Sequence, residues 1–473
     1  MWVVWSQSCL VTEAKCPAPS EKSGTKVQFP LSDSLDNAKW NASVVYSDSK
    51  QLSLSICSPT DAKIGHQALK LLCTTQGQST LLALGEFILL FNPWCPGDAV
   101  FLDDENQRGE YVLADQGLIY QGSDSSIGRI AWNYGQFENE IVDISLKLLD
   151  NSLNYLRNPD EDRSQRHDPR YIGRVVTAMV NSNDDKGVVR GNWGPDYSNG
   201  VRPTMWSGSI IILRQWSKSG CLPVRYGQCW VFAAVACTGI YCCGPAPVKA
   251  IKNGNVNLKF DTPFVFAEVN ADFASWVVCN DGTKKQIGVN HRLIGRKIST
   301  KAVGSDERED ITHNYKYEEG SEEERAVFTR ANMKNKLVEE PESQFFLKVK
   351  VRKGILNGAD FKATAVLRNQ SSGVRNCRLI LLAQTITYNG QPIQDCAFKD
   401  LAKVTTGPHE EKKERLDVLY SNYFQTLSEH NHILIMALAE DDEAKETHIA
   451  RKLVTLQNPS LQMKVIITEE FGW

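Results

Sequence analysis

The sequence predicts a multidomain α+β protein, with strands first, a mixed helix-and-loop region in the middle and strands again at the end. Three observations carry this expectation. Residues 25–93 alternate apolar and polar side chains between turn signals. Residues 94–330 become dense in Trp, Gly, Asn and Asp, with short helical stretches between loops. From residue 344 the alternating runs return, broken by Asn-Gly pairs. The division expected is a β-sandwich over 1–93, a mixed core over 94–330, a linker over 331–343 and a second β-domain over 344–473.

Within the first region, "WNASVVYSDSKQLSLSIC" reads as a hairpin around a Ser-Asp-Ser turn, and "STLLALGEFILLF" as a buried strand. In the middle region, "ENEIVDISLKLLDNSLNYL" has helical periodicity. The charged run "EEGSEEER" reads as a solvated face or a cation site. Toward the end, "FFLKVKVRKGILNGADFKATAVL" and "RLILLAQTITYNGQPI" each carry an Asn-Gly turn signal.

Bulk properties narrow the function classes. At 473 residues the chain exceeds what one core organises. Its 42% hydrophobic and 23% charged residues are globular values. A net charge of -3, a pI near 6.3 and no long Lys/Arg run argue against a nucleic-acid partner. No apolar run reaches membrane-spanning length, and the N-terminus lacks the basic and apolar regions of a signal peptide. Thirteen cysteines without paired CxxC motifs fit a reduced, cytoplasmic protein. The Asn-x-Ser/Thr matches at Asn41 and Asn369 then read as chance.

The chemistry centres on "RYGQCWVFAAVACTGIYCCGP". Cys229 follows Gly227-Gln228, a plausible entry turn, and opens an apolar helical run. Helix N-termini favour thiolate, because the dipole and free N–H groups stabilise negative charge. On position alone, packing and catalysis both remain open for this cysteine.

The wider string resembles the active-site segment of animal transglutaminases, the calcium-dependent protein-glutamine γ-glutamyltransferases. Other segments resemble the family in family order: "FILLFNPWCPGDAV", "WNYGQFE", "YIGRVVTAMVNSNDDKGVV", "CCGPAPVKAIK", "PFVFAEVNAD" and "DEREDITHNYKYEEGSEEER". The resemblance implies an immunoglobulin-like β-sandwich, an incomplete papain-like transglutaminase core and one C-terminal β-barrel. It implies acyl transfer from a protein glutamine to a lysine or polyamine amine. Cys229 matches the nucleophile. Trp193, in "RGNWGPDY", matches the tryptophan that helps hold the oxyanion. Cys242-Cys243 matches a vicinal pair that could act as a redox switch.

The histidine and aspartate of the family's catalytic triad have no match. Family sequence runs to Thr238 and resumes at Gly239, so tens of residues are missing at that junction. Both ends also look cut, a pattern that either a splice variant or a faulty gene model would leave. None of the eight histidines (His66, His167, His291, His313, His409, His430, His432 and His448) sits in a matching context, and all read as surface or loop residues. The expectations are an impaired enzyme, or an inactive binding relative as the alternative class. A poorly covered "WVFAAVAC" helix that stops at Gly239 is also expected.

The resemblance also implies ligands. For calcium it implies a first loop with Asn181 and Asp185 and a second site with Asn270, Asp272, Glu319 and Glu324. A hard cation takes such oxygen donors. Tissue-type members bind GTP or GDP beside the barrel, and the matching positions are Lys348, Lys350, Val351, Ile355 and Lys452. The three lysines stand where relatives use arginine, keeping charge but losing the bidentate fork. Ser126 replaces the aromatic that stacks on guanine. Tyr388, counted with this cofactor set, matches the barrel tyrosine that hydrogen-bonds the catalytic thiol in the closed form.

Overall fold

The computed structural model describes residues 8–48, 51–75, 78–123, 126–182, 187–240, 248–257, 262–278, 282–332, 344–388, 390–441 and 446–459. Asp185 of the expected first calcium loop and the Cys242-Cys243 pair lie outside them.

In the N-terminal domain, strands β1 (Ser8–Ala14), β2 (Lys26–Pro30), β5 (Gly65–Thr75) and β6 (Gln78–Leu89) form an antiparallel sheet in the order β2-β1-β5-β6. The hairpin β3 (Asn41–Ser47) and β4 (Leu52–Cys57) forms as the alternation predicts, with a bulge between Val44 and Tyr46. Leu10, Phe29, Ala42 and Leu71 make the small core between them. β6 is a strand, as expected, but not a buried one. It sits at the sheet edge with β5 as its one partner, and Leu81, Leu82 and Leu84 are each nearly half exposed. Asn41 and Asn369 are buried, which fits their reading as chance sequence matches.

The central region holds the helices α1 (Ile141–Asp150), α2 (Pro159–Ser164), α3 (Pro169–Val180), α4 (Ser209–Lys218) and α5 (Cys229–Ile240). α3 shows why these form. Asp168 caps its first turn by accepting from the Arg170 N–H, and Pro169 stands at the tolerated first position. Ile172, Val175, Val176, Met179 and Val180 then give one apolar face. α1, α3 and α4 pack around α5.

The covering of α5 departs from expectation. Trp230, Val231, Ala234 and Val235 are buried, so most of the helix has its partners. What stays open is one stripe, Cys229, Ala233 and Cys237, at successive four-residue steps. Gly239 does not end the helix, which continues to Ile240. A Cβ at Gly239 would lie 2.9 Å from Val176 Cγ1, so the glycine serves the close approach of α5 to α3.

The remaining strands of this region come in pairs. β7 (Gln116–Ser123) and β8 (Ser126–Asn133) form an antiparallel hairpin, while β9 (Val189–Gly191) and β10 (Val224–Gly227) pair in parallel. β11 (Phe273–Val278) with β12 (Lys284–Asn290), and β13 (Ser299–Lys301) with β14 (Arg308–Asp310), are further antiparallel pairs. Helices α6 (Thr262–Val269) and α7 (Glu322–Arg330) flank them.

Buried charge joins this core to the N-terminal domain. Arg163 and Arg166, on and just after α2, are about 1% exposed. Both bond Asp150, and Arg166 also bonds Asp162. Arg163 Nη2 reaches across to the Lys15 carbonyl at 3.0 Å.

The C-terminal domain contains β15 (Phe345–Val351), β16 (Phe361–Asn369), β17 (Arg375–Ile386), β18 (Pro392–Thr406), β19 (Glu411–Val418), β20 (His432–Asp441) and β21 (Thr447–Thr455). They form two antiparallel sheets, β15-β16-β19 and β18-β17-β20-β21. One core lies between them, built on Leu367, Leu379, Val418, Ile433 and their neighbours. The two Asn-Gly signals fall in the β15–β16 and β17–β18 connections, and Gly358 and Gly390 take the positive φ such turns require.

Candidate active site

Cys229 is exposed at the first position of α5. The Gln228 carbonyl opens the helix by accepting from the Val231 and Phe232 N–H groups. The Gln228 side chain is buried and donates to the Asn192 carbonyl at 3.1 Å and to Tyr197 Oη at 3.0 Å. Gly227 lets β10 lie against β9, because a Cβ there would stand 2.4 Å from Val189 Cγ1. A short strand and a buried amide therefore fix the thiol where helix N–H groups lack intrahelical acceptors.

Trp193 follows β9 and lies over Gly191, with its indole stacked on Phe232 at 6.3 Å. Its Nε1 donates to Tyr388 Oη at 3.2 Å. Tyr388 comes from the β17–β18 turn of the C-terminal domain. Its hydroxyl also lies near the Cys229 thiol, and burial followed by that thiol raises the phenol's pKa. Cys229, Trp193 and Tyr388, named separately from the sequence, thus form one constellation.

Sequence reasoning missed a second contribution from the same domain. In the segment before β20, His430 packs on Trp230 with ring centroids 5.1 Å apart and on Tyr388 at 5.5 Å. Glu429 accepts from Thr204 Oγ1 at 2.8 Å, and Tyr197 is pushed up to about 12 by burial and then by the Glu429 charge. Nothing in "SEHNH" marks this, because the docking joins residues some two hundred positions apart. His432 is buried at the start of β20, unlike the surface or loop residue expected, whereas His291 lies in the turn after β12, bonded to Asp272.

The expected calcium residues are only partly gathered. Glu319 and Glu324 lie close together, and burial followed by Glu319 raises Glu324 to about 7. Lys316 bonds Glu319 and also the Val269 carbonyl at 3.2 Å. Asp272 is held by His291 at 2.8 Å, and Asn270 donates to the Phe266 carbonyl. Asn181 is bridged to Val189. The donors suit a hard cation in kind, but among the described residues no three His, Cys, Asp or Glu side chains converge to hold one. As they stand, the residues do not fit a completed calcium site.

Of the expected nucleotide positions, Lys348 and Lys350 are exposed on β15. Lys452 lies on the neighbouring β21. Ile355 is buried in the domain core and Val351 packs against it. Tyr388 lies on the thiol instead.

Comparison with known proteins agrees with this architecture. The family model "Transglutaminase family" matches residues 6–74, and "Transglutaminase family, C-terminal ig like domain" matches residues 346–450. The chain is 41% identical over 530 aligned positions to human protein-glutamine gamma-glutamyltransferase 2, covering 95% of this chain and 77% of that protein. It is 40% identical over 531 positions to the chicken protein of the same name, with the same coverage. Both alignments are longer than this chain's 473 residues, so both relatives carry residues that it lacks within the aligned span. The crystal structure of red sea bream transglutaminase superposes with a TM-score of 0.83 at 33% identity, covering 96% of this chain and 78% of that one. No helix among the described residues is long and apolar enough to cross a membrane. Matched at both ends by family models and along nearly its whole length by relatives, the chain belongs to the transglutaminase family.

Proposed function

We propose that the chain carries out, at much reduced rate, acyl transfer from a protein glutamine through a thioester on Cys229. The observation that supports this reading is the convergence of Cys229, Trp193 and Tyr388 at the start of α5. The thiolate attacks the carboxamide carbon, the C–N bond breaks and ammonia leaves. A protein lysine, a polyamine or water then attacks the thioester and frees the thiol. The developing oxyanion calls for fixed donors, and the Trp193 Nε1–H and the Cys229 backbone N–H are the candidates. Trp193 now gives its N–H to Tyr388, so the phenol must leave before the donor can serve.

The rate is impaired because ammonia must depart protonated. That proton normally comes from an imidazole paired with the thiol and oriented by a carboxylate. The family's histidine and aspartate have no match in this sequence, and His430, the imidazole that packs beside the site, stands on the Trp230 and Tyr388 rings. The same observation favours a second reading, an inactive transglutaminase-like binding protein. The proposed substrates are proteins with exposed Gln and Lys, together with polyamines, in the cytoplasm. Calcium belongs to the proposal through the carboxylates of Glu319 and Glu324, oxygen donors of the kind a hard cation takes. GTP or GDP is included as a ligand held by the charge of Lys348, Lys350 and Lys452. Amine incorporation into a glutamine substrate, with Cys229→Ala as control, separates the two readings: residual activity that depends on Cys229 supports the enzyme, and none at all supports the binding protein.

A further inference from the structure

Among the described residues β6 has β5 as its one sheet partner, so its other side is an open edge. Such an edge presents unpaired N–H and C=O groups and accepts a further strand unless it is short or carries a charge or a proline. The other outer strands of the larger sheets are blunted in this way. β2 holds Lys26 and Pro30 within five residues, and β15, β18, β19 and β21 carry Lys350, Lys399, Lys413 and Lys452. β6 runs for 12 residues, "QSTLLALGEFIL", with neither lysine nor proline. Its one charge, Glu86, is tied to Lys15 of the same chain at 3.0 Å. A bulge at Leu84 divides the strand, and Gln78–Ala83 is left as an uninterrupted, uncharged ladder on β5.

This stretch is open on its faces as well as its edge. Leu81 and Leu82 point to opposite faces and are 46% and 49% exposed. The buried core of the domain is Leu10, Phe29, Ala42 and Leu71, and no side chain of β6 belongs to it. A flat surface or a helix laid on β6 would meet one face and leave the backbone groups unpaired. A strand laid alongside pairs the edge and sets its own side chains beside the leucines on both faces.

We propose that Gln78–Ala83 is a pairing edge for a second copy of this chain, the two β6 strands running antiparallel about a twofold axis at Leu81 and joining the two four-stranded sheets edge to edge. The stretch is its own complement. In this register Leu81 faces Leu81 of the other copy, Thr80 faces Leu82 and Ser79 faces Ala83, so no charge is buried and no like charges meet. The bulge and Glu86 fall outside the pairing. Each copy offers one such edge, and β2 blunts the far side of the sheet, so the assembly closes at two copies and does not grow into a fibre.

The test is sedimentation velocity of the full chain over a wide concentration range, with hydrogen exchange of residues 78–89 followed on the same samples. A reversible monomer–dimer equilibrium is expected, with those amides protected as the dimer forms. Leu81→Lys and Leu81→Glu each set two like charges against one another at the axis, and each should weaken association by about tenfold or more. Mixing the two variants should restore the dimer, because the charges at the axis are then opposite. A chain that stays monomeric overturns the proposal, as does growth to species larger than a dimer. A dimer that ignores both substitutions also overturns it, as does a mixture that stays monomeric while each variant keeps the parent's circular dichroism. Should either variant fail to fold, hydrogen exchange on the unmodified chain decides: exchange of residues 78–89 that does not change with concentration overturns the pairing.

Discussion

Trp193 and Tyr388 are 195 positions apart, yet the indole Nε1 of one donates to the hydroxyl of the other at 3.2 Å, beside Cys229. That bond ties the C-terminal domain to the catalytic core. It also engages the N–H that acyl transfer needs for its oxyanion, so that donor is occupied although the thiol itself is exposed.

Tyr388→Phe removes the hydroxyl that accepts from Trp193 and lies near the Cys229 thiol. A hydrogen bond of this kind contributes about 0.5–1.5 kcal/mol net. Alkylation of Cys229 at neutral pH should accelerate by about threefold to tenfold, while unfolding of the chain changes little. An unchanged alkylation rate would show that the hydroxyl does not shield the sulfur.

Glu324 carries a pH signature of opposite sign to an ordinary surface acid. Its carboxyl is raised from 4.5 to about 7 by burial and by Glu319. The stability it lends is complete below about pH 4.5 and is lost as pH rises through 7, when the folded chain must ionise it. Without calcium, Glu324→Gln should match the parent near pH 4.5 and melt several degrees higher near pH 8. With calcium the order should reverse at pH 8, and calorimetry should show weaker calcium binding in the variant. Thermal melts of equal midpoint at both pH values would contradict this.

Asp150→Asn tests the buried joint between the N-terminal domain and the core. The substitution removes the carboxylate that both Arg163 and Arg166 bond. Breaking a buried ion pair typically costs about 3–5 kcal/mol, because it leaves charge uncompensated. Denaturant unfolding should show a loss of that order. A loss below about 1 kcal/mol would mean that the guanidiniums find water or Asp162 instead.

Much of this was legible in the sequence. The β3–β4 hairpin, the α1 helix and the β17–β18 turn follow from alternation, 3.6-residue periodicity and the Asn-Gly signal, all of them local. Cys229, Trp193 and Tyr388 were identified from the resemblance of their segments to the family, and the fold brought them together. Other features depend on long-range placement. β6 looks like a buried strand from its leucines, but its place at the sheet edge leaves them exposed. Gly239 looks like a helix stop, yet it is a packing contact with Val176. His430 had no local signature at all, since its role comes from a domain docking on a distant helix.

The central claim is that Cys229 is an acyl-transfer nucleophile working without its imidazole and carboxylate. The most direct measurement is the rate of amine incorporation into a glutamine substrate at saturating calcium, for this chain, for Cys229→Ala and for a full-length relative. General acid–base help contributes about 10²- to 10⁴-fold. The account predicts a rate lower than the relative's by about that factor, with the residue abolished in Cys229→Ala. Turnover close to the relative's that vanishes in Cys229→Ala would contradict it, because a competent base would then be at work in the chain.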